Sequence, residues 1–303
     1  MTWQAVAMSL ALAFLSACQT PRVPVGLTRA ASVGQTAVEP PAMLTLPPRE
    51  PHWPRTMRRL RDDLVAVRSW LTVTHLLVDG DRLILVDTGL FGDFPQIQAA
   101  VAALGRQPSD LKAILVTHGH LDHTGNAARL QRWSGASVYA PAADRAHVAG
   151  THPYRGASRG CGWLEQAGRV AMGFQPPHVD EWFADGTELP FWGGLRVVAL
   201  PGHTVGHCGF LSESKRVLFV GDVFDVTWHI GLPPAIFNDD SAGNRASFRR
   251  VAAMDVDLFV PGHYSSLTNL PARLRQKAAR LPPEKEGGGI PGKGERTALD
   301  PEE

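Results

Sequence analysis

Residues 113–125 read AILVTHGHLDHTG, and this stretch decides the fold. An apolar strand, residues 113–116, leads into a loop that carries four ligand-type side chains within six positions: His118, His120, Asp122 and His123. Neutral imidazole nitrogens and carboxylate oxygens are the donors that zinc accepts in proteins. A single histidine is usually an ordinary polar residue, but four such donors in one strand-to-helix loop predict a metal-binding loop.

Four further motifs each come directly after an apolar strand, namely Val86-Asp87-Thr88-Gly89, Pro201-Gly202-His203-Thr204, Val220-Gly221-Asp222 and Pro261-Gly262-His263. Together with the His-x-His-x-Asp-His loop they resemble the five motifs of the metallo-β-lactamase superfamily, over residues 60–265. The resemblance implies an α/β fold, the αββα sandwich. Two mixed sheets pack face to face under outer helices in that fold, and the metal site lies at one edge.

The resemblance also implies which side chains hold two Zn²⁺ ions. One ion would bind His118, His120 and His203, the other would bind Asp122, His123 and His263, and Asp222 would bridge the two. Iron or manganese in one of the sites is the alternative. A hydroxide shared between two such cations forms near neutral pH and attacks a carbonyl or phosphoryl centre. Asp122 would be the catalytic carboxylate that orients this nucleophile.

Other polar residues are assigned supporting roles. Asp87 resembles the family's carboxylate that fixes the metal loop by hydrogen bonds, although the residue alone reads equally well as a cap at the end of a strand. His207 is interpreted as a packed or ligand-supporting group, because both metals already have their ligands. Weaker candidates for contacts with the substrate are His152, His178, His229 and Tyr264.

Strand-like and helix-like patterns alternate through a hydrolase domain predicted over residues 57–280. Two β-rich runs, 71–78 and 82–86, flank an Asp-Gly turn and predict a hairpin. Helical periodicity is found at 95–104, 124–133 and 242–254. Residues 141–192 are rich in Gly, Pro, His and Trp and show little period, so we expect them to form a lid or rim over the site.

The N-terminal residues are typical of an export signal. Residues 6–17 are apolar and uncharged, too short a run to span a bilayer, and end in Leu15-Ser16-Ala17-Cys18, which resembles the lipobox of bacterial lipoproteins. The basic residues that usually precede such a run are missing. Residues 1–18 are therefore interpreted as a lipoprotein signal peptide, with lipid on Cys18. Gln19 favours the periplasmic face of the outer membrane in a cell with two membranes.

The segments next to both ends are low in periodicity. Residues 19–56 are rich in Pro and predict an extended tether, and residues 281–303 are dominated by Pro, Gly, Glu and Lys and predict a disordered tail. The chain thus reads as signal peptide, tether, one enzyme domain and tail. Exported and held by its lipid, the protein would have the membrane and a small-molecule substrate as its partners.

Composition excludes several classes. The 30 Lys and Arg against 29 Asp and Glu leave a formal charge of +1, so no nucleic-acid partner is expected from bulk charge. Three cysteines are too few for a disulfide framework or a thiolate metal cluster. Any metal must therefore be held by histidine and carboxylate.

The favoured reaction is hydrolysis of a small ester, thioester or lactone. Asp222 carries this preference, because β-lactam-hydrolysing members with the same loop lack a bridging carboxylate at the fourth motif, whereas thioesterase-like and lactonase-like members have one. Cleavage of a β-lactam is the second choice and cleavage of a phosphodiester the third. A surface binding module that keeps metal only for structure is the remaining alternative.

Overall fold

The computed structural model of the protein describes residues 50–69, 71–90, 92–224, 230–263 and 270–281. All of them belong to one compact unit. The predicted signal peptide with Cys18, nearly all of the tether and tail, and the two candidates His229 and Tyr264 lie outside the described residues. None of the helices in the described ranges is long and apolar enough to cross a membrane.

The first sheet has seven strands in sequence order. Strands β1 to β4 pair antiparallel, and β4 to β7 pair parallel. The predicted hairpin is present as β3 and β4, with Asp79 opposite Arg82 at the turn. The strands are β1 (Met57–Arg61), β2 (Leu64–Arg68), β3 (Val73–Asp79), β4 (Arg82–Val86), β5 (Leu111–Leu115), β6 (Ser137–Pro141) and β7 (Glu181–Phe183).

The second sheet has five strands in the order β12-β11-β10-β9-β8. Its strands pair antiparallel except for β11 and β12, which are parallel. Both sheets are thus mixed, as the resemblance implies. The strands are β8 (Glu188–Leu189), β9 (Leu195–Ala199), β10 (Cys208–Ser212), β11 (Val217–Gly221) and β12 (Leu258–Pro261).

Three apolar clusters define the layers of the molecule. The central cluster joins the two sheets, for example through Leu77 and Ile84 of the first and Phe210 and Phe219 of the second. The other two clusters lie on the outer faces, one under α1 and α3 and one under α6 and α7. This order of layers is the αββα sandwich. The helices are α1 (Asp93–Ala103), α2 (Leu121–Thr124), α3 (Ala127–Ser134), α4 (Arg145–Val148), α5 (Arg159–Met172), α6 (Ser241–Ala252) and α7 (Leu270–Ala279).

The main difference from the sequence prediction is α5, a helix of 14 residues inside the segment predicted to be aperiodic. Glycine lowers helix propensity by about 1 kcal/mol per residue, so three glycines hide this helix from a reading by propensity. Each of them is in close contact: a Cβ on Gly160 would lie 2.6 Å from Ile236, one on Gly162 2.6 Å from Tyr154, and one on Gly168 2.7 Å from Leu121. The three glycines lower the helix propensity of α5 but allow it to pack closely against these neighbours.

Two predicted boundaries also shift. The helix expected over 124–133 is interrupted after α2, where the backbone N–H of Asn126 donates to the hydroxyl of Thr88 at 3.3 Å instead of continuing the helix. The side-chain amide of Asn126 donates to the carbonyls of Thr88 and Leu90. Trp53 is only 6% exposed and belongs to an outer cluster, so the folded domain begins before the tether boundary predicted at residue 56.

His75 gives the fold a sensitivity to acid. It is buried in β3, its ring is 5.9 Å from that of Phe219, and burial lowers its pKa to about 3. The unfolded chain therefore binds one more proton than the folded chain between pH 6.5 and about 3, so this contribution to stability is complete above pH 6.5 and is lost as pH falls. At pH 5 the loss is about 2 kcal/mol. Between pH 7 and pH 5, the free energy of unfolding of the His75→Leu protein, measured with denaturant, should fall less than that of the wild type. An equal fall in the two proteins would contradict this role of His75.

Candidate metal centre

The motif residues meet at one edge of the sandwich because they follow strands that point the same way. Asp87 follows β4 and the His118–His123 loop follows β5, and these two strands are parallel neighbours. Asp222 and His263 follow the parallel pair β11 and β12. His203 follows β9, which runs parallel to β11 because both are antiparallel to β10.

The first donor set, here the three-histidine group, comprises His118, His120 and His203. One ring nitrogen from each lies within 4.8 Å of the others. His120 Nδ1 faces His203 Nε2 at 3.0 Å, and the second nitrogen of His203 donates to the side-chain oxygen of Asn238 at 3.0 Å. Asn238 thereby keeps the proton on Nδ1 and leaves the Nε2 lone pair of His203 directed into the group.

The second donor set, here the mixed group, comprises Asp122, His123, Asp222 and His263, whose donor atoms also lie within 4.8 Å of one another. His263 Nε2 is 2.8 Å from Asp222 Oδ2 and 3.5 Å from Asp122 Oδ2. The other nitrogen of His263 donates to the carbonyl of Leu71 at 2.8 Å, which fixes its tautomer. Asp122 is the more accessible carboxylate, with 23% of its side chain exposed against 8% for Asp222.

Asp222 lies between the two groups. Its Oδ2 is 3.5 Å from His123 Nε2 and 3.6 Å from His203 Nε2, so one carboxylate is in reach of both donor sets. Gly262 makes room for this arrangement, because a Cβ there would be 2.6 Å from Asp222 Oδ1 and 2.7 Å from His123 Cε1. The position is that of a bridging ligand.

Unpaired buried atoms test whether this donor set fits metal ions. Nε2 of His118, Nε2 of His123 and Oδ1 of Asp222 are buried and have no hydrogen-bond partner. Leaving such groups without a partner costs roughly 1–3 kcal/mol each, and native proteins rarely do so. All three belong to the two donor groups, so the residues present fit a pair of divalent cations.

The pKa values of the two groups differ. Burial lowers the pKa of His118 and His120 well below the ordinary value and also lowers that of His203, so the three-histidine group offers neutral nitrogen ligands. Burial would also lower the pKa of His263, but Asp222 raises it to about 9. Burial opposes a charge on His123 too, yet Asp222 and Asp87 raise its pKa well above the ordinary value. The mixed group therefore attracts positive charge.

Asp87 fixes two metal-site histidines at once. Its Oδ1 accepts the backbone N–H of Thr117 at 2.8 Å, and its Oδ2 accepts Nδ1–H of His123 at 2.9 Å. The hydroxyl of Thr117 donates to Asp87 Oδ2 at 2.9 Å and accepts from His118 Nδ1 at 3.0 Å. These bonds place the protons of His118 and His123 on Nδ1 and leave both Nε2 atoms free to bind metal. Asp87 has a φ of 59°, a left-handed conformation that Asp and Asn tolerate better than most residues.

His207 supports Asp222 through the backbone. The N–H of Asp222 donates to His207 Nε2 at 2.9 Å, and His207 Nδ1 donates to the carbonyl of Leu200 at 3.1 Å. Burial lowers the pKa of His207 to about 3, so the ring stays neutral and Nε2 remains an acceptor. The geometry is that of the supporting role predicted from the sequence.

Of the two candidates for substrate contacts that lie in the described residues, one is near the metal edge and the other is not. His152 lies near the three-histidine group: its ring stacks on that of His147 at 3.5 Å, and the His147 ring is 5.8 Å from that of His120. His178 is at the surface instead, 82% exposed beside Asp180, with its backbone bonded to Gln131. Its weak assignment to a pocket is therefore corrected, since it is hydrogen-bonded to Gln131 of the outer helix α3 rather than placed in the loops at the metal edge.

His147, His152 and Asp239 form another set of close donors. Both Nε2 atoms face the Asp239 carboxylate, at 3.0 Å and 3.2 Å. The two ring planes are tilted by only 16° and stacked 3.5 Å apart, so their lone pairs lie in nearly parallel planes and do not converge on one cation. Burial would lower the pKa of His147, but hydrogen bonds to Asp144 and Asp239 raise it to about 9. An imidazolium held between two carboxylates accounts for this set.

Several residues of the site have no sequence motif. Asp144, Glu165 and Tyr154 come from the segment 141–192, whose lack of period hid their positions. Cys161, from the same segment, places Sγ 4.0 Å from His120 Nε2, and burial raises the pKa of its thiol. Asp144 Oδ2 accepts the N–H of Gly119, and Glu165 Oε1 accepts that of Leu121. No spacing rule would have found them.

Comparisons with known proteins agree with this geometry. Hydroxyacylglutathione hydrolase GloC of Haemophilus influenzae is 34% identical over 121 residues, which cover 38% of this chain and 50% of that protein. Thioesterase pkgB of Emericella nidulans is 30% identical over 205 residues, covering 67% of this chain and 48% of that protein. The chain thus spans about half the length of these curated relatives.

Solved structures extend the similarity. A metallo-beta-lactamase of Cronobacter sakazakii superposes with a TM-score of 0.55 at 27% identity, over 70% of this chain and 79% of that one. The family model of the metallo-beta-lactamase superfamily matches residues 68–263, which contain all five motifs and every ligand candidate. Since the match covers more than half of the chain and the two donor groups lie within it, this protein belongs to the metallo-beta-lactamase superfamily.

Proposed function

We propose that the protein is a two-zinc hydrolase that cleaves a small ester, thioester or lactone. The observation that carries this proposal is the place of Asp222, whose Oδ2 lies 3.6 Å from a nitrogen of the three-histidine group and 2.8 Å from one of the mixed group. A carboxylate in reach of both donor sets supports two cations that share a ligand. The all-nitrogen set and the mixed nitrogen and oxygen set both suit zinc.

The proposed chemistry divides between the cations and the protein. Held by the two donor groups, a pair of divalent cations would supply a water nucleophile that is active near neutral pH and would polarise the scissile carbonyl. Asp122 is the accessible carboxylate of the mixed group and is positioned to accept a hydrogen bond from the nucleophile and orient it. Asp87 holds His123 in position, and His207 holds the backbone of Asp222, while negative charge develops on the substrate.

The surroundings of the site favour an organic acyl substrate. Two of the large apolar side chains that are exposed in the described residues adjoin ligand-bearing segments. Leu71, 41% exposed, accepts the bond from His263 through its carbonyl, and Val205, 51% exposed, follows His203 by two positions. Relatives named for thioester hydrolysis add support.

A β-lactam is the second candidate, because solved structures that share the fold at 25% identity or more include metallo-beta-lactamases. Phosphodiester cleavage ranks below it, because a net charge of +1 offers little attraction for a polyanionic substrate. A purely structural metal also ranks below it, because both donor groups are complete.

A substrate panel separates these functions. The full-length protein would be loaded with zinc, its metal content measured, and its turnover followed on a lactone, an acyl thioester, a β-lactam and a phosphodiester. We expect two zinc ions per chain and the highest kcat/KM on the thioester or the lactone. The highest kcat/KM on the β-lactam or the phosphodiester would replace the proposal with that activity. Two zinc ions without turnover of any member would favour the binding module.

We also propose that the protein is exported and anchored by lipid on Cys18, a residue outside the described ranges. The proposal rests on the apolar run of residues 6–17 and the lipobox-like residues that end it. Mass spectrometry of the protein isolated from membranes should find a mature N-terminus at Cys18 carrying acyl chains. An unmodified chain that begins at Met1 would contradict the anchor.

A further inference from the structure

The backbone on either side of His120 is held by two buried carboxylates. The N–H of Gly119 donates to Asp144 Oδ2 at 2.8 Å, and the N–H of Leu121 donates to Glu165 Oε1 at 2.7 Å. Asp144 is fully buried and Glu165 is 7% exposed. Both carboxylates come from the segment 141–192, outside the five motifs. His120 is thus held through its two neighbours by two buried carboxylates, and a carboxylate oxygen of Glu165 also lies within 4.8 Å of a ring nitrogen of His120.

Asp144 joins the two loops that supply the three-histidine group. Besides Gly119, its Oδ2 accepts the hydroxyl of Thr204 at 2.5 Å, and its Oδ1 accepts the N–H of Gly206 at 2.6 Å. Thr204 directly follows His203. One carboxylate therefore sets the separation between the loop of His118 and His120 and the loop of His203.

Glu165 is itself held in place on α5. Its Oε2 accepts the hydroxyl of Tyr154 at 2.7 Å and a guanidinium N–H of Arg169 at 2.8 Å. Gly168 of the same helix lies so close to Leu121 that a Cβ would be 2.7 Å from Leu121 Cδ2. The helix and the metal loop therefore pack as a unit, and the carboxylate meets its amide at a defined distance.

The mixed group is supported differently. Asp87 holds His123, the carbonyl of Leu71 holds His263, and His207 holds the backbone of Asp222. Asp87 directly follows β4, Leu71 lies in the β2–β3 turn and His207 in the loop before β10. Asp87 also reaches His118 through Thr117, but Asp144 and Glu165 bond only to the three-histidine side of the loops.

We propose that Asp144 and Glu165 are positioning residues that place His120 and thereby set the metal affinity of the three-histidine group, with little effect on the mixed group. The inference rests on the proposed two-metal function. Loss of an outer partner of this kind typically weakens metal binding by about 10- to 100-fold.

The isosteric amides test the idea with the least change in shape. In Asp144→Asn, one carboxylate oxygen becomes an NH₂ group. If that group replaces Oδ1 it faces the N–H of Gly206, and if it replaces Oδ2 it faces the N–H of Gly119 and the hydroxyl of Thr204. In both cases a donor faces a donor. In Glu165→Gln the NH₂ must face the N–H of Leu121 or the guanidinium of Arg169. A control is Asp180→Asn, since Asp180 Oδ2 also accepts a backbone N–H, that of Val138 in β6, at 2.8 Å.

The readout is ¹¹³Cd NMR of the full-length protein during titration with cadmium chloride, since the three-histidine and mixed groups have different ligand atoms and give separate resonances. We expect cadmium at the three-histidine group to bind about 10- to 100-fold more weakly in Asp144→Asn and Glu165→Gln, while the mixed group and the Asp180→Asn protein stay as in the wild type. Because each variant reports a ratio of two affinities, general loosening of the fold is recognised as equal weakening at both groups.

Equal weakening at both groups, or no weakening at either, would overturn the inference. Should Asp144→Asn fail to fold, Glu165→Gln decides alone, because it acts on the same loop from a different helix. A wild-type protein that binds fewer than two cadmium ions would instead refute the proposed two-metal function. The two failures are therefore distinguishable.

Discussion

Replacing Asp222 with alanine is expected to leave the protein with about one metal ion instead of two and to lower kcat/KM by more than about 100-fold. Loss of a residue that only hydrogen-bonds to a metal ligand costs up to about 100-fold, and loss of a ligand should cost more. The reason is geometric, since Asp222 Oδ2 is within 3.6 Å of nitrogens from both donor groups. Without it, neither cation keeps its shared ligand, and the histidines of the mixed group lose the carboxylate that they face. Metal analysis after dialysis and steady-state kinetics on the best substrate of the panel measure both effects.

A suitable control is Asp255→Ala, because Asp255 is 92% exposed in its side chain and pairs only at the surface with Arg216. That protein should keep two metals and its full activity. Unchanged turnover together with full metal content in Asp222→Ala would refute a bridged site.

Replacing Asp87 with asparagine should be almost as damaging, although the two side chains have the same shape and both accept a φ near 59°. With its oxygen turned to the N–H of Thr117, the new amide presents NH₂ to His123 Nδ1, where the carboxylate accepted a proton. The imidazole proton then moves to Nε2, the atom that faces Asp222. An Asp-to-Asn exchange behind a catalytic histidine costs on the order of 10⁴-fold through the wrong tautomer, so we expect a loss of about 10²- to 10⁴-fold in kcat.

NMR of ¹⁵N-labelled histidine gives a readout other than activity, because it reports which nitrogen of His123 carries the proton. At a pH high enough for the metal-free ring to be neutral, the Asp87→Asn protein should show the proton on Nε2, whereas the wild type should keep it on Nδ1. Asp79→Asn is the matched control, since Asp79 pairs with Arg82 at 2.6 Å at the hairpin turn, outside the metal loops. An Asp87→Asn protein with the wild-type tautomer and wild-type kcat would show that Asp87 is only a strand-end cap.

The sequence predicts the metal edge well because its information there is local. Four donors lie within six residues of one loop, and each remaining motif follows an apolar strand. Asp87, Asp222 and His263 are assigned to the site through the family resemblance, and the structure brings them near the loop because each follows a strand of a parallel pair. The hairpin and the two mixed sheets follow from the same alternation of apolar runs.

The supports of the three-histidine group could not be predicted, because they depend on contacts between distant segments. Asp144 reaches Thr204 across 60 residues and Glu165 reaches Leu121 across 44. The helix that carries Glu165 was hidden by glycines that local propensity disfavours and that close packing requires. His178 shows the opposite error, since its residue type suggested a role at the site while its position on the outer surface removes it.

The most direct test of the account is X-ray diffraction at the zinc absorption edge from crystals of the zinc-loaded protein. Two anomalous peaks about 3.5 to 4 Å apart are predicted, one bounded by His118, His120 and His203 and the other by Asp122, His123 and His263, with the Asp222 carboxylate between them. A single peak, or zinc held away from Asp222, would contradict the two-metal centre on which the proposed hydrolysis depends.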